Sequence, residues 1–340
     1  MRQLTNGNGG KTDVGAWFIT YNTPEMWSKN FGKDISIQFR ALLPNGNYGI
    51  PTSDDVEIID FLLEKLAQAK IDFILFDLTN GGLTNKIRYG TNHNEWIVKN
   101  ALLTCERIAV FNKNHDWKLR YAVAVGCYPA LRGNKYDSQG NLIKEGFSIG
   151  ECTELQAEAT YKIFIENEEI ADNYYYLDGK PLLVIHDWGE NLLTVPQGWN
   201  NYKGLRYFGD KFTIRNGQGG EAGTYGWQTR YGTQIHPEVE VVCPGQNTHG
   251  SRINIPRENG NYYRKEWNTV LSNATPRIVM ITSFNDYNED TAIFPADTSK
   301  CYLGKAEQWQ DCDGIEKPSM YWDITCESIK KLRAINGDKL

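Results

Sequence analysis

The stretch Pro51–Gly82, PTSDDVEIIDFLLEKLAQAKIDFILFDLTNGG, decides the fold. Ser53 or Asp54 is placed to cap a helix whose first turn is acidic. Val56, Ile59, Leu62, Leu63, Leu66 and Ala67 then recur at helical spacing. Ile71–Leu78 follows as a nearly unbroken apolar run, and Thr79-Asn80-Gly81-Gly82 ends it. An amphipathic helix leading into a strand that is apolar on both faces is the signature of a parallel sheet covered by helices.

The same alternation runs outward in both directions. VGAWFITY, from Val14 to Tyr21, reads as a first strand. Glu95–Phe111 reads as a helix followed by the strand LRYAVAVGCYP from Leu119, and Glu151–Glu169 as a helix followed by KPLLVIHDW from Lys180. Towards the end, VEVVCPG and RIVMITSF are strands separated by a helix over Tyr262–Leu271, and Ile324–Arg333 is a closing helix. Between 191 and 237, GLRYFGDKFTIRNG and TYGWQTRYG each supply one strand, although NGQGGEAGTYG breaks the periodicity. That makes about eight βα units, so the expectation is an α/β fold. Specifically, one (β/α)8 TIM barrel over 1–340 is expected, with long loops at its C-terminal face. YDSQGNLIKEG reads as a hairpin excursion within 128–150, and 298–318 as a loop insertion before the last helix.

Composition narrows the class further. With 340 residues, 40% apolar and 23% charged, the chain has ample core material for one such barrel. A net charge of −6 argues against a nucleic-acid partner, which wants a basic face. No run of 18 apolar residues is present, so no membrane span is expected. The first residues carry no apolar signal segment, which fits a cytoplasmic chain or a mature secreted, periplasmic or cell-surface one. The seven cysteines form no C-x-x-C or zinc pattern; a Cys301–Cys312 bridge is conceivable from their spacing. Neither a cofactor nor a metal is expected.

In such barrels chemistry sits where strands end. Tyr21 follows the first strand, Asp77 ends the second, and His186 and Asp187 end LLVI. Arg215 closes FTI, and GQNTH, with His249, follows VEVVCP. These residues, with Trp227, Asn285 and Tyr287, are the expected substrate-binding set. Each has a plainer reading too: Asp77 as a turn cap, Arg215 as the partner of a buried carboxylate, His249 as a surface residue and Trp227 as packing.

The densest polar cluster is ITSFNDYNEDTAIFP, Ile281–Pro295, where three carboxylates fall in five residues at the mouth of a strand. Asp286 and Glu289 form a candidate acid/base pair, since glycosidic cleavage uses two carboxyl groups, one protonated and one ionised. Residues of opposite parity on a strand face opposite ways, so the pair shares a cleft only if the chain curls there. A calcium loop through Asp286, Asn288, Asp290 and Asp297 is the rival, but Thr291 stands where the sharp turn wants glycine.

SFNDYNEDTAIFP resembles the signature of the family 99 glycoside hydrolases, the endo-α-mannosidase and endo-α-mannanase family, roughly S-F-N-E-W-H-E-G-T-x-I-E-P. GAWFITY, DVEIIDFLLEKLAQAKIDFILFD, DGKPLLVIHDW and GNYYRKEW resemble other stretches of that family in order. The resemblance implies a (β/α)8 barrel and a retaining endo-glycosidase acting on α-linked sugars of a glycan. By position it assigns Asp286 as the base on the sugar's own 2-hydroxyl and Glu289 as the acid/base. Asp286 is one methylene shorter than the family's Glu, and Asn288, Asp290 and Phe294 replace its His, Gly and Glu. A non-catalytic carbohydrate-binding barrel and a glycan-synthesis enzyme on the same fold are the alternatives.

Overall fold

The computed structural model describes residues 8–22, 39–80, 83, 93–127, 132–186, 208–217, 222–226, 236–248, 252–273, 276–301 and 307–338. The first helix, α1, spans Val56–Gln68. Its cap is Asp55, whose side chain accepts from the amides of Glu57 and Ile58. Ser53 is used elsewhere, its hydroxyl accepting from the amide of Asn22 in the loop after the first strand. Ile58, Ile59, Leu62, Leu63, Leu66 and Ala67 form the buried stripe, with Val56 left exposed on the outer side. The chain leaves the helix through Lys70 at φ 61, and the following strand is buried along its whole length.

Among the described residues the main path of the sheet has seven parallel strands: β1 (Asp13–Phe18), β2 (Phe73–Leu78), β3 (Arg120–Gly126), β4 (Lys180–His186), β5 (Thr213–Asn216), β6 (Val239–Val242) and β7 (Ile278–Ile281), with Tyr176–Leu177 pairing antiparallel to β4. Their order is β5-β4-β3-β2-β1-β7-β6. The sheet curls around aromatic and branched side chains, as in the stacked Phe73 and Tyr175 rings 4.0 Å apart. Gly15 on β1 permits this packing, because a Cβ there would run into the Phe73 ring and the Met280 sulfur. Between β5 and β6, Thr224–Gly226 of the expected eighth strand is irregular, so the described residues form a curled sheet open on that side. The rest of TYGWQTRYG lies outside the described residues.

Helices α2 (His93–Asn114), α3 (Ile149–Thr160), α4 (Asn261–Ser272) and α5 (Met320–Asn336) alternate with the strands. A capping box between Ser148 and Glu151 starts α3. Helix α5 begins four residues before the apolar periodicity does and ends at Gly337, φ 69. Lys135–Tyr136 and Leu142–Lys144 pair as an antiparallel hairpin, its turn drawn together by Asp137 accepting from the amides of Gln139 and Asn141. Cys312 is a free, exposed thiol, so the conceivable bridge to Cys301 is not formed. No helix among the described residues is long and apolar enough to cross a membrane.

Candidate active site

Four strands adjacent in the sheet, in the order β2-β1-β7-β6, deliver polar groups to one end. Asp77 comes from the end of β2, Tyr21 from the loop after β1, Asp286 and Glu289 from the loop after β7, and Gln246 from just beyond β6. All are at carboxyl ends of parallel strands, where this class of sheet places its chemistry.

The segment after β7 curls back on itself, and the charge of Glu289 is felt at Asp286. Ser283 N donates to Thr291 O, Ile293 N returns to Ser283 O, and Thr291 N and Ala292 N both donate to Asp286 O. The Ser283 and Thr291 hydroxyls are bonded at 2.9 Å, and Ser283 Oγ accepts from Asp286 N. Inside this loop Asp286 Oδ1 accepts from the amides of Asn288 (2.9 Å) and Glu289 (3.0 Å). Asp286 is 2% exposed, whereas Glu289 is half-buried and takes a 2.9 Å hydrogen bond from the Gln246 amide on Oε2. Asp290, standing where the family signature has Gly, has φ 52, in the left-handed region that favours glycine.

The electrostatics follow from crowding. Burial first, and then the charge of Glu289, hold the Asp286 carboxyl well above the ordinary range; Asp77 adds to this, and the two backbone amides oppose it. Asp77 is raised by burial and further by Glu289, against two hydrogen bonds from Thr79 at 3.0 and 2.6 Å. The Tyr21 phenol is pushed up by burial and then by Asp286, Asp77 and Glu289. Four groups from three strand ends therefore feel one another's charge. Crowding of this kind pushes the proton affinities of neighbouring carboxyl groups apart, which coupled acid and base work requires.

Other expected site residues fall differently. Arg215 is corrected: its side chain runs to the opposite, amino-terminal end of the sheet. There it pairs with Glu238, just before β6, and with Asp178, before β4. Asn285 is likewise turned to the backbone, accepting from Ile19 N (2.8 Å) and donating to Ile19 O (3.0 Å). It thereby fixes the loop that carries Tyr21. Tyr287 is 1% exposed and donates to Phe294 O, making it part of the core rather than the cleft. His186 ends β4, half-buried, one strand beyond β3 from Asp77. Asp187, Trp227 and His249 lie outside the described residues. The calcium set is dispersed: Asp290 is bound by Arg257 and Asp297 by Ser299. Gln246 is the residue that sequence reasoning misses; in GQNTH the titratable His249 carries the visible signal, and a neutral amide carries none.

This arrangement defines an α/β barrel-type protein that gathers carboxyl groups at the carboxyl-terminal end of its parallel sheet. Its fold is that of two solved structures of the GH99 endo-alpha-mannosidase from Bacteroides thetaiotaomicron, one of them in complex with bis-tris propane. Both align with a TM-score of 0.58 at 16% sequence identity, covering 96% and 98% of this chain and 99% of each of theirs. No family model and no curated protein matches the chain.

Proposed function

We propose that the chain is a retaining endo-glycosidase acting on α-linked sugars of a glycan or polysaccharide, on a complete (β/α)8 barrel. Glu289 is its acid/base and Asp286 its partner base. The observation that carries the reading is the meeting of Asp77, Tyr21, Asp286 and Glu289 from adjacent strand ends, with Asp286 buried and raised while Glu289 stays half-buried under Gln246. A base works best when its pKa approaches the working pH, and burial with two neighbouring carboxylates moves Asp286 that way.

In the first step Asp286 takes the proton of the sugar 2-hydroxyl as that oxygen closes on the anomeric carbon. Glu289 gives its proton to the departing glycosidic oxygen, leaving an anhydro-sugar and a free glycan end. In the second step Glu289, now ionised, takes a proton from water; the water oxygen bonds to the anomeric carbon, and the 2-oxygen recovers its proton from Asp286. Configuration is retained because the anomeric carbon is displaced twice. The two backbone amides on Asp286 Oδ1 fix the carboxylate plane through both steps. A polysaccharide substrate fits a secreted or periplasmic location.

A panel of α-linked oligosaccharides incubated with the wild-type chain tests this. New reducing ends whose first-formed anomer is α, read by proton NMR, are the expected result. Glycan binding without release of any sugar would defeat the reading and leave a carbohydrate-binding barrel.

A further inference from the structure

The loop that carries Glu289 is also held by the chain that follows β6. After β6 the chain forms an antiparallel ribbon, Gln246–Thr248 with Arg252–Ile255, that leads to Arg257. The ribbon grips the loop after β7 at three levels. Gln246 Nε2 donates to the Glu289 carboxylate, Asn247 N donates to Glu289 O at 2.8 Å, and Arg257 takes the residues just downstream. The Arg257 guanidinium donates to Asp290 Oδ1 from Nε (3.1 Å) and Nη2 (2.8 Å), and Nη2 also reaches the carbonyls of Asp290 (2.8 Å) and Ala292 (3.1 Å). Arg257 is 1% exposed, and its guanidinium carbon lies 4.8 Å from the Trp309 ring centre and 4.3 Å from that of Tyr321. Such aromatic faces stabilise a buried cation. Gly245 is the ribbon's contact with this arginine: a Cβ there would run into Arg257 Cγ and come 3.1 Å from Ile255 O.

We propose that the paired strands Gln246–Thr248 and Arg252–Ile255, with Gly245 and Arg257 flanking them, are a positioning clamp for Glu289, with Arg257 and Asp290 as the pair that sets the backbone on which the acid/base stands. The placement argues for this beyond packing. Arg257 bonds the residue immediately after Glu289, which sits at φ 52, a backbone state unfavourable for a non-glycine residue and sustained here by the ion pair. It also holds Ala292, whose amide closes the loop on Asp286 O. One guanidinium thus fixes the loop downstream of both carboxylates. The guanidinium fork adds a second bond to Asp290 Oδ1 from Nε that the single nitrogen of a lysine ammonium does not reproduce. Arg257 and Asp290 act through Glu289, not on the sugar, and the inference rests on the glycosidase reading above for its kinetic part only.

The test uses Arg257→Lys and Asp290→Asn in the full chain, with two readouts. In steady-state hydrolysis, kcat falls at least tenfold while KM stays within about threefold, since misplacing a reacting group by about 1 Å costs on the order of 100-fold in rate. In hydrogen exchange by mass spectrometry, the peptide over 286–292 exchanges at least tenfold faster, while one over Phe73–Leu78 keeps its wild-type rate. Should the wild type release no sugar, the glycosidase reading falls, and the exchange result alone decides the clamp. Variants that stay folded with kcat within twofold of wild type, or with unchanged exchange over 286–292, overturn it.

Discussion

Asp286→Asn separates activity from stability in a way that only a buried, charge-crowded catalytic carboxylate produces. The amide oxygen of the new side chain can accept the same two bonds that Oδ1 receives from Asn288 and Glu289, so the loop has no reason to open. What is lost is a group that takes a proton. General base catalysis is worth about 10²–10⁴-fold, or about 2.7–5.4 kcal/mol of transition-state stabilisation at 1.36 kcal/mol per decade. Hydrolysis should therefore fall by at least about 100-fold. Stability moves the other way. The folded Asp286 carboxyl is held above its unfolded value by burial and by Glu289. Its protonated form therefore stabilises the fold below the unfolded pKa of about 3.9, and that contribution is lost as pH rises through the folded value. The substituted carboxamide has no proton to lose, so the melting temperature of the variant should exceed that of wild type at pH 8, with a smaller gap at pH 4.5. Thermal melts at both values and sugar release at pH 7 make the comparison. A variant that keeps more than a tenth of wild-type activity, or that melts below wild type at pH 8, refutes the reasoning.

Removing the Gln246 donor tests the hold on Glu289: Gln246→Leu should lower kcat by up to about tenfold, since a hydrogen bond is worth about 0.5–1.5 kcal/mol, and an unchanged kcat would show that it does not orient the carboxyl group. Arg215→Met removes the guanidinium from Glu238, while the half-exposed Asp178 keeps Arg277, and should destabilise the fold by about 1–3 kcal/mol in denaturant titration. The folded fraction should retain wild-type kcat, and a selective loss of activity would return Arg215 to the site. Asn285→Ala frees Ile19 N and O from their side-chain partner, and about 1–3 kcal/mol of stability goes with a buried group left unsatisfied; KM should rise as well, because the Tyr21 loop loses its anchor.

The helix-strand unit of Pro51–Gly82 is legible because two periodicities meet within it, 3.6 in the helix and an unbroken apolar run in the strand. The parallel sheet follows from its repetition. Placement of Asp77, Tyr21, Asp286 and Glu289 at one end follows in turn, since strand ends are visible in sequence. What alternation does not encode is how far a long side chain travels. Arg215 sits in the last half of its strand, yet its side chain runs back to the amino-terminal end, where Glu238 and Asp178 await it. Asn285 and Tyr287 lie inside the most chemically suggestive segment and serve backbone and core, because a tightly curled loop needs its own carbonyls and amides satisfied. The curl itself depends on pairings such as Ser283 with Thr291 that no local pattern announces. Gln246 and Arg257 reach Glu289 and Asp290 across long sequence separations, beyond any window of periodicity.

The acid/base role of Glu289 is tested most directly by comparing Glu289→Gln with wild type on two substrates, an α-linked oligosaccharide and the corresponding α-glycosyl fluoride, whose leaving group needs no proton. The variant should lose at least about 100-fold on the oligosaccharide and far less in the fluoride-releasing step, while still binding the glycan. Full activity of Glu289→Gln on the oligosaccharide, or an equal loss on both substrates, would contradict that role.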